Sequence, residues 1–340
     1  MEVKPFHHFL ATVKKEKIPF SVVFEITGRC NLRCRHCYQK EGPDHLGTEE
    51  IKGILDDLKE AGCLKLTLTG GEPTIREDFA PILSHALREG FAVTLFTNAT
   101  FLTPEVKGLL QDGPLYGVES SLYGATADTH DAVTGVEGSF EKTLANLRWM
   151  AGEGLRVTVK SVTMSVNLHE LDALSQLTGG LGFRFQPSYR LFPSADPHRA
   201  PEDLRVPTEY IRDLKERPGQ TFEREQEPSE SIPADFICNA GREACCISAE
   251  GKVYPCTAMR WECGDLKKEP FSRVWRESPV LKKIRSYTED DFEECRDCPW
   301  KAECSFCPGM GWTEHGNMHV PSREICRLTR AGSPQPGDRR

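Results

Sequence analysis

The stretch GRCNLRCRHCY, from Gly28 to Tyr38, places Cys30, Cys34 and Cys37 within eight residues. The chain carries fourteen cysteines. In a secreted protein such a count suggests disulfides, whereas in a reducing compartment the thiolates serve as metal ligands. Zinc in a structural site takes four tetrahedral ligands, so this trio would need a partner such as His36. An iron-sulfur cube held by three thiolates differs, because one iron is left open and a small molecule can bind it directly. Three-cysteine clusters serve both metals, and the trio alone does not choose between them.

A second set of cysteines has its own order. Cys238 comes first, Gly251 is followed after four residues by Cys256, and then come Cys295, Cys298, Cys304, Cys307 and Cys326. The two-residue gaps from Cys295 to Cys298 and from Cys304 to Cys307 suit a zinc ribbon as they stand. Between the two sets lies GGEP, Gly70 to Pro73. Its glycines let backbone approach a ligand closely, and Glu72 can accept hydrogen bonds from a bound ammonium; a plain tight turn explains a glycine pair as well. Asn98 and Ser121 end apolar runs, where such residues ordinarily cap, and Lys160 lies inside another run, where an ion-paired structural role is the simpler one.

From about Phe20 to Ser188 short apolar runs alternate with amphipathic segments, the pattern of strand and helix units around a parallel sheet. FSVVFEIT, LKLTLT, FAVTLFT, LYGVESSL, LRVTVKSV and GFRFQPS read as six strands. Helices are predicted between them, from Thr48 (as cap) to Gly62, from Phe79 to Gly90, and from near Pro104, Ser139 and Leu168. Ile51, Ile54, Leu55 and Leu58 fall on one stripe of the first. Six units make a partial barrel, two short of the full eight, and sites in such folds gather at the C-terminal ends of the strands. The cysteine trio follows strand one and GGEP follows strand two, so both share one mouth.

Past Tyr189 the pattern breaks into proline-rich loops around one helix near Thr208 to Arg217. From Cys238 a hairpin, CCISAEGKVYPC, turns near Glu250 and Gly251, and the remainder has too few long apolar segments to fold unaided, so metal is expected to hold it. The boundaries read as an extension at 1–19, the barrel at 20–217, a linker at 218–237, a cysteine-rich domain at 238–330 and a disordered tail at 331–340. A net charge of −8 argues against a general nucleic-acid or anionic-membrane binder, and no apolar run reaches bilayer length. The N-terminus has no secretory h-region, which makes the cytoplasm the default.

The spacing in CNLRCRHCY, with an aromatic at Tyr38, followed by GGEP after the next strand of a partial barrel, resembles the radical S-adenosylmethionine (radical SAM) superfamily. That resemblance implies an α/β partial (βα)6 TIM-type barrel in which Cys30, Cys34 and Cys37 hold a 4Fe-4S cluster. Its open iron would bind S-adenosylmethionine, which one-electron transfer cleaves to a 5'-deoxyadenosyl radical, the cofactor carrying the chemistry. Tyr38, Gly70, Gly71, Glu72, Pro73, Asn98, Ser121 and Lys160 would contact the cosubstrate. Many relatives carry an acidic residue where this chain has Tyr123. The order of the later cysteines resembles the SPASM extension of radical SAM enzymes, which binds two auxiliary 4Fe-4S clusters, although the Cys304 to Cys307 gap is one residue shorter than the commonest pattern. By that resemblance Cys295, Cys298, Cys304 and Cys326 hold the outer cluster, and Cys238, Cys256 and Cys307 the inner one with Cys245 or Cys246.

Auxiliary clusters beside a barrel mouth can take an electron from a substrate radical, which favours net oxidation or bond formation. The resembling enzymes mostly crosslink or oxidise peptides and proteins, and others act on tetrapyrroles. The expected function is therefore oxidative maturation of a ribosomally made peptide, with a small molecule such as a haem precursor as the alternative. Reduced flavodoxin or ferredoxin would supply electrons. Sulfatase-maturing relatives carry an aspartate base where this chain has Thr257, which argues against that reaction. About twenty residues precede the first strand, so gripping of a leader peptide would fall to a separate recognition protein, or the substrate has no leader. Glu119, Tyr123, Gln186 and Tyr189 face the mouth by strand alternation, without any being assigned as base. His7, His8 and His36 are read as structural.

Overall fold

The computed structural model of the chain describes residues 4–39, 41–194, 201–216 and 238–331. The proposed linker, and the tail beyond Ala331, lie outside the described residues. Six parallel strands follow in chain order: β1 (Ser21–Glu25), β2 (Lys65–Thr69), β3 (Ala92–Thr97), β4 (Gly117–Ser121), β5 (Val157–Val162) and β6 (Arg184–Ser188). Each neighbour pair is parallel, beginning with Val22 opposite Leu66 and Leu66 opposite Val93. Period-two alternation sends Val93, Leu95 and Thr97 into the layer beneath the helices.

The helices Thr48–Glu60, Phe79–Arg88, Pro104–Asp112, Ser139–Gly152 and Leu171–Gly180 cover that layer. Ile51, Ile54, Leu55 and Leu58 are buried as their spacing demands. Thr48, however, does not cap the first helix. Gly47 holds the cap position, and its N–H donates to Glu50 Oε2 at 2.8 Å while Thr48 Oγ1 donates to Asp78 at 2.6 Å. An additional helix, Ala127–Thr134, follows β4, with Thr126 accepting from the Thr129 N–H and Gly135 leaving in the left-handed region at φ +68°.

The barrel does not close. On the far side of β1 lies β7 (Ala244–Ile247), parallel to it with Val22 opposite Cys245 and Val23 opposite Cys246. The strands β8 (Lys252–Tyr254) and β9 (Gly264–Asp265) then continue antiparallel, giving one nine-stranded sheet. The cysteine-rich segment is thus also held by the barrel's apolar core. Its Ile247, Val253, Phe271, Val274 and Leu281 belong to the same apolar core as β1 and β2, and each such side chain contributes about 1.5–3 kcal/mol on full burial. Trp275 Nε1 donates to the Lys17 carbonyl at 2.6 Å, pinning the segment to the chain before β1. Among the described residues no helix is long and apolar enough to cross a membrane.

Candidate active site

The loop after β1 and the turn after β2 are fitted against each other backbone to backbone. Gly71 N–H donates to the Thr27 carbonyl at 2.9 Å, and Glu72 N–H to the Arg29 carbonyl at 2.8 Å. A Cβ on Gly70, whose φ is +148°, would lie 2.4 Å from Thr27 O; one on Gly71 would lie 2.2 Å from Arg29 O. The glycine pair is therefore required first by the cysteine loop. Close approach to a ligand is a consequence of that fit.

Glu72 departs from the role expected of it. The side chain is fully buried and lies, with Pro73, outside the cavity lining. Oε1 accepts from Thr74 N–H (3.1 Å), Thr74 Oγ1 (2.7 Å) and Thr97 Oγ1 (2.7 Å), and Oε2 accepts from Asn98 N–H at 2.6 Å. Burial pushes its pKa up, and these four donors oppose that shift. With its lone pairs so engaged, Glu72 braces the ends of β2 and β3. Through its bond to the Asn98 N–H it also fixes that residue, whose Nδ2 donates to Asn31 Oδ1 at 2.8 Å inside the cysteine loop.

Sequence reasoning missed Arg76. Buried at 6% exposure, it donates to the Ile26 carbonyl at 2.8 Å and the Leu46 carbonyl at 3.2 Å, while Asp78 takes its other edge at 2.8 and 2.7 Å. It thereby clamps both ends of the cysteine loop. An arginine just past GGEP, too polar to be buried without partners, was the available signal.

These loops enclose a cavity of about 520 Å³. Cys30, Cys34, Cys37 and Tyr38 line one wall, Gly70, Gly71 and Asn98 the next, and Ser121 and Lys160 the third. Lys160 is ion-paired with Glu119 and sits 4.6 Å above the Phe96 ring centroid. Tyr123 and Gln186 also line the cavity. Tyr189 does not; it is buried against Val206 and Ile211 because β6 ends at Ser188 and its alternation stops there. His36 is a wall residue, packed edge-on to Tyr123 with ring centroids 4.7 Å apart. Burial is the largest influence on the Cys30 thiol, pushing it up to about 11, with Glu72, Cys37 and Glu41 adding to the rise. A thiol so placed stays protonated until a cation replaces its proton.

From the other side Thr257, next to Cys256, closes the cavity. Burial raises the pKa of Cys238 and Cys256, and Cys307 is near enough to both to add to the rise. Gly309 makes room for them, since a Cβ there would lie 3.3 Å from Cys256 Sγ and 3.7 Å from Cys307 Sγ. Burial likewise raises Cys295, Cys304 and Cys326, and Cys298 is near enough to all three to add to the rise. Adjacent on β7, Cys245 and Cys246 point to opposite faces: the first is buried beside Cys63 and Cys263, the second beside Glu25, Arg260 and Cys256.

The Radical SAM superfamily signature matches residues 24–177, and that of SPASM, an iron-sulfur cluster-binding domain, matches residues 238–299. The mycofactocin maturase MftC of Mycobacterium tuberculosis is 30% identical over 286 residues, 78% of this chain and 73% of that one. This chain belongs to the radical SAM superfamily. An AdoMet-dependent heme synthase of Methanosarcina barkeri is 28% identical over 88% of this radical SAM enzyme and 94% of its own length. SuiB of Streptococcus suis, solved bound to its precursor peptide SuiA, matches with a TM-score of 0.70 over 95% of this chain and 80% of that one, at 16% identity, a likeness of fold.

Membership favours iron-sulfur clusters with S-adenosylmethionine over zinc, and the donors fit. Among the described residues no three cysteine sulfurs lie within 4.8 Å of one another. Zinc, with bonds of 2.3 Å, would hold tetrahedral sulfurs about 3.8 Å apart. All fourteen cysteines are free thiols, and three or more thiolates are the donor set that iron-sulfur clusters take.

Proposed function

We propose that this enzyme oxidatively modifies a peptide or protein, using three 4Fe-4S clusters. Cys30, Cys34 and Cys37 would hold the first; Cys238, Cys246, Cys256 and Cys307 the inner auxiliary cluster; Cys295, Cys298, Cys304 and Cys326 the outer one. When bound, the first cluster and S-adenosylmethionine together supply a 5'-deoxyadenosyl radical. The single observation that carries the oxidative reading is that one cavity is walled by the cysteine trio on one side and by Thr257, the neighbour of Cys256, on the other. A substrate there lies between the two cysteine sets.

Around that substrate the chain's own residues divide the work. Asn98, oriented by Glu72 and Asn31, and Ser121 offer polar contacts, and Tyr38 walls off the side toward the inner set. Lys160, with its charge balanced by Glu119, positions an anionic group without leaving a bare cation in the cavity. The peptide assignment draws on the maturase relative, at 30% identity. A second reading, a small carboxylated molecule such as a haem precursor, is favoured by the heme synthase, whose match spans 94% of its length. Arg190 in the cavity lining suits carboxylates of either class.

The test is anaerobic. Protein reconstituted with iron and sulfide is reduced, given S-adenosylmethionine, and offered either a peptide encoded beside its own gene or an iron porphyrin bearing carboxylates. Roughly twelve irons per chain, 5'-deoxyadenosine, and loss of hydrogen or a new crosslink in the peptide by mass spectrometry support the proposal. A changed porphyrin beside an untouched peptide replaces it with the second reading.

A further inference from the structure

Glu25, the last residue of β1, is 6% exposed, and a carboxylate so far from water needs partners. Arg260 grips it with both prongs, Nη2 at 2.6 Å from Oε1 and Nη1 at 3.0 Å from Oε2. Gln39 Nε2 donates to Oε1 at 2.9 Å. Gln39 lies two residues past Cys37 and Arg260 four past Cys256, so one carboxylate ties the loop of the first cysteine set to that of the inner set. The guanidinium has a further contact: Nη1 lies 3.9 Å from Cys246 Sγ. Tyr254 supports it from below, its ring centroid 5.1 Å away.

We propose that Arg260, held in place by Glu25, is a positioning residue that raises the reduction potential of the cluster at the inner cysteine set by donating to the Cys246 sulfur. The inference rests on the reading above in which Cys246 is a ligand of that set. Two effects act in the same direction. A fixed positive charge beside a thiolate-ligated cluster favours the more negative, reduced state, and an N–H donated to a ligand sulfur draws charge from it. Arginine is the side chain for this place because it stays charged when buried and its fork can grip a carboxylate while a spare N–H reaches the sulfur.

The test uses the full chain carrying Cys30→Ala, Cys34→Ala and Cys37→Ala, reconstituted with iron and sulfide, so that only auxiliary signals remain in EPR spectra taken at poised potentials. Arg260→Gln is expected to move one signal to a more negative potential at unchanged iron content, with Arg260→Lys falling between it and the parent. Glu25→Gln, which removes an anion but keeps the arginine, is expected to move the same signal the other way. An unmoved potential in Arg260→Gln at full iron content overturns the inference. Should Arg260→Gln shed iron, Glu25→Gln decides: a positive shift upholds the inference, and no shift or a second loss of iron makes the pair a structural clamp and overturns it. Cys246→Ser separates the two layers, because an altered or lost signal upholds the ligand reading whatever Arg260 does, and an unaltered one overturns both.

Discussion

The carboxylate of Glu72 and the backbone N–H of Asn98 meet at 2.6 Å, which joins the turn after β2 to the end of β3. Glu72→Gln puts an amide NH₂ among four donors that now share two acceptor oxygens. At least one buried N–H or O–H then loses its partner, at a cost of about 1–3 kcal/mol. The apo protein is expected to lose that much stability in urea denaturation. Because Asn98 is released as well, affinity for S-adenosylmethionine by calorimetry should fall on the order of tenfold. Unchanged affinity in a folded variant would separate Asn98 from the cosubstrate.

Gly71→Ala tests the fit of the two loops. Its Cβ would meet the Arg29 carbonyl oxygen at 2.2 Å and the carbonyl carbon at 2.6 Å, both backbone atoms that no rotamer change can remove. Overpacking of this kind costs about 1–3 kcal/mol, paid by displacement of the loop that carries Cys30. The expected result is loss of roughly a third of the iron, the share of one cluster in three, with far-ultraviolet circular dichroism unchanged. Full iron together with full cosubstrate cleavage would show that the loop tolerates the shift.

Gly309→Ala probes the inner set by the same physics. A methyl there would stand 3.0 Å from Ala258 Cβ and 3.3 Å from Cys256 Sγ. Cys245→Ala, in contrast, removes a thiol that packs in the core with Cys63 and Cys263. We expect Gly309→Ala to reduce auxiliary iron while the first set still cleaves S-adenosylmethionine under dithionite. Cys245→Ala should keep all its iron and lose about 1–2 kcal/mol, a small-cavity cost. Iron loss in Cys245→Ala would exchange the roles of the two β7 cysteines.

The barrel strands were legible as short runs, with period two clearest in β3 and β5, and the covering helices because their stripes repeat every three to four residues, as Ile51, Ile54, Leu55 and Leu58 do. The spacing of Cys30, Cys34 and Cys37 with GGEP marked the mouth correctly. What escaped the sequence is non-local. The parallel pairing of Val22 with Cys245 joins residues more than two hundred positions apart, and nothing in either segment announces the other. Cys245 and Cys246 are distinguished only by which face of β7 meets the core. GGEP offers Glu72 as an acceptor for a bound ammonium; four donors from three residues, two of them beyond GGEP's own turn, engage it instead. Glu25 and Arg260 carry no motif at all, and their pairing exists only once β1 and β7 lie side by side.

Acid sensitivity should trace in part to His130. Its ring is 1% exposed, lies between those of Tyr123 and Phe140 with centroids 5.7 Å from each, and its Nδ1 accepts the Tyr123 N–H at 3.2 Å. That acceptor role requires the neutral imidazole with its proton on Nε2. Burial drives the pKa from 6.5 down to about 4, only partly offset by Asp131. A histidine depressed in the folded state takes up its proton more readily when unfolded, so its contribution is intact above pH 6.5 and is lost as pH falls toward 4. At pH 4 the loss amounts to about 3 kcal/mol. His130→Gln keeps an acceptor for Tyr123 but cannot titrate. It is expected to be less stable than the parent at pH 7.5 and to lose less stability on acidification, so the two curves of urea-unfolding free energy against pH converge between pH 6.5 and 4. Parallel curves across that window would place the acid sensitivity elsewhere, with Asp131 and Glu170, whose pKa values are lowered by hydrogen bonds from Ser139 and from Thr126, as the groups to examine next.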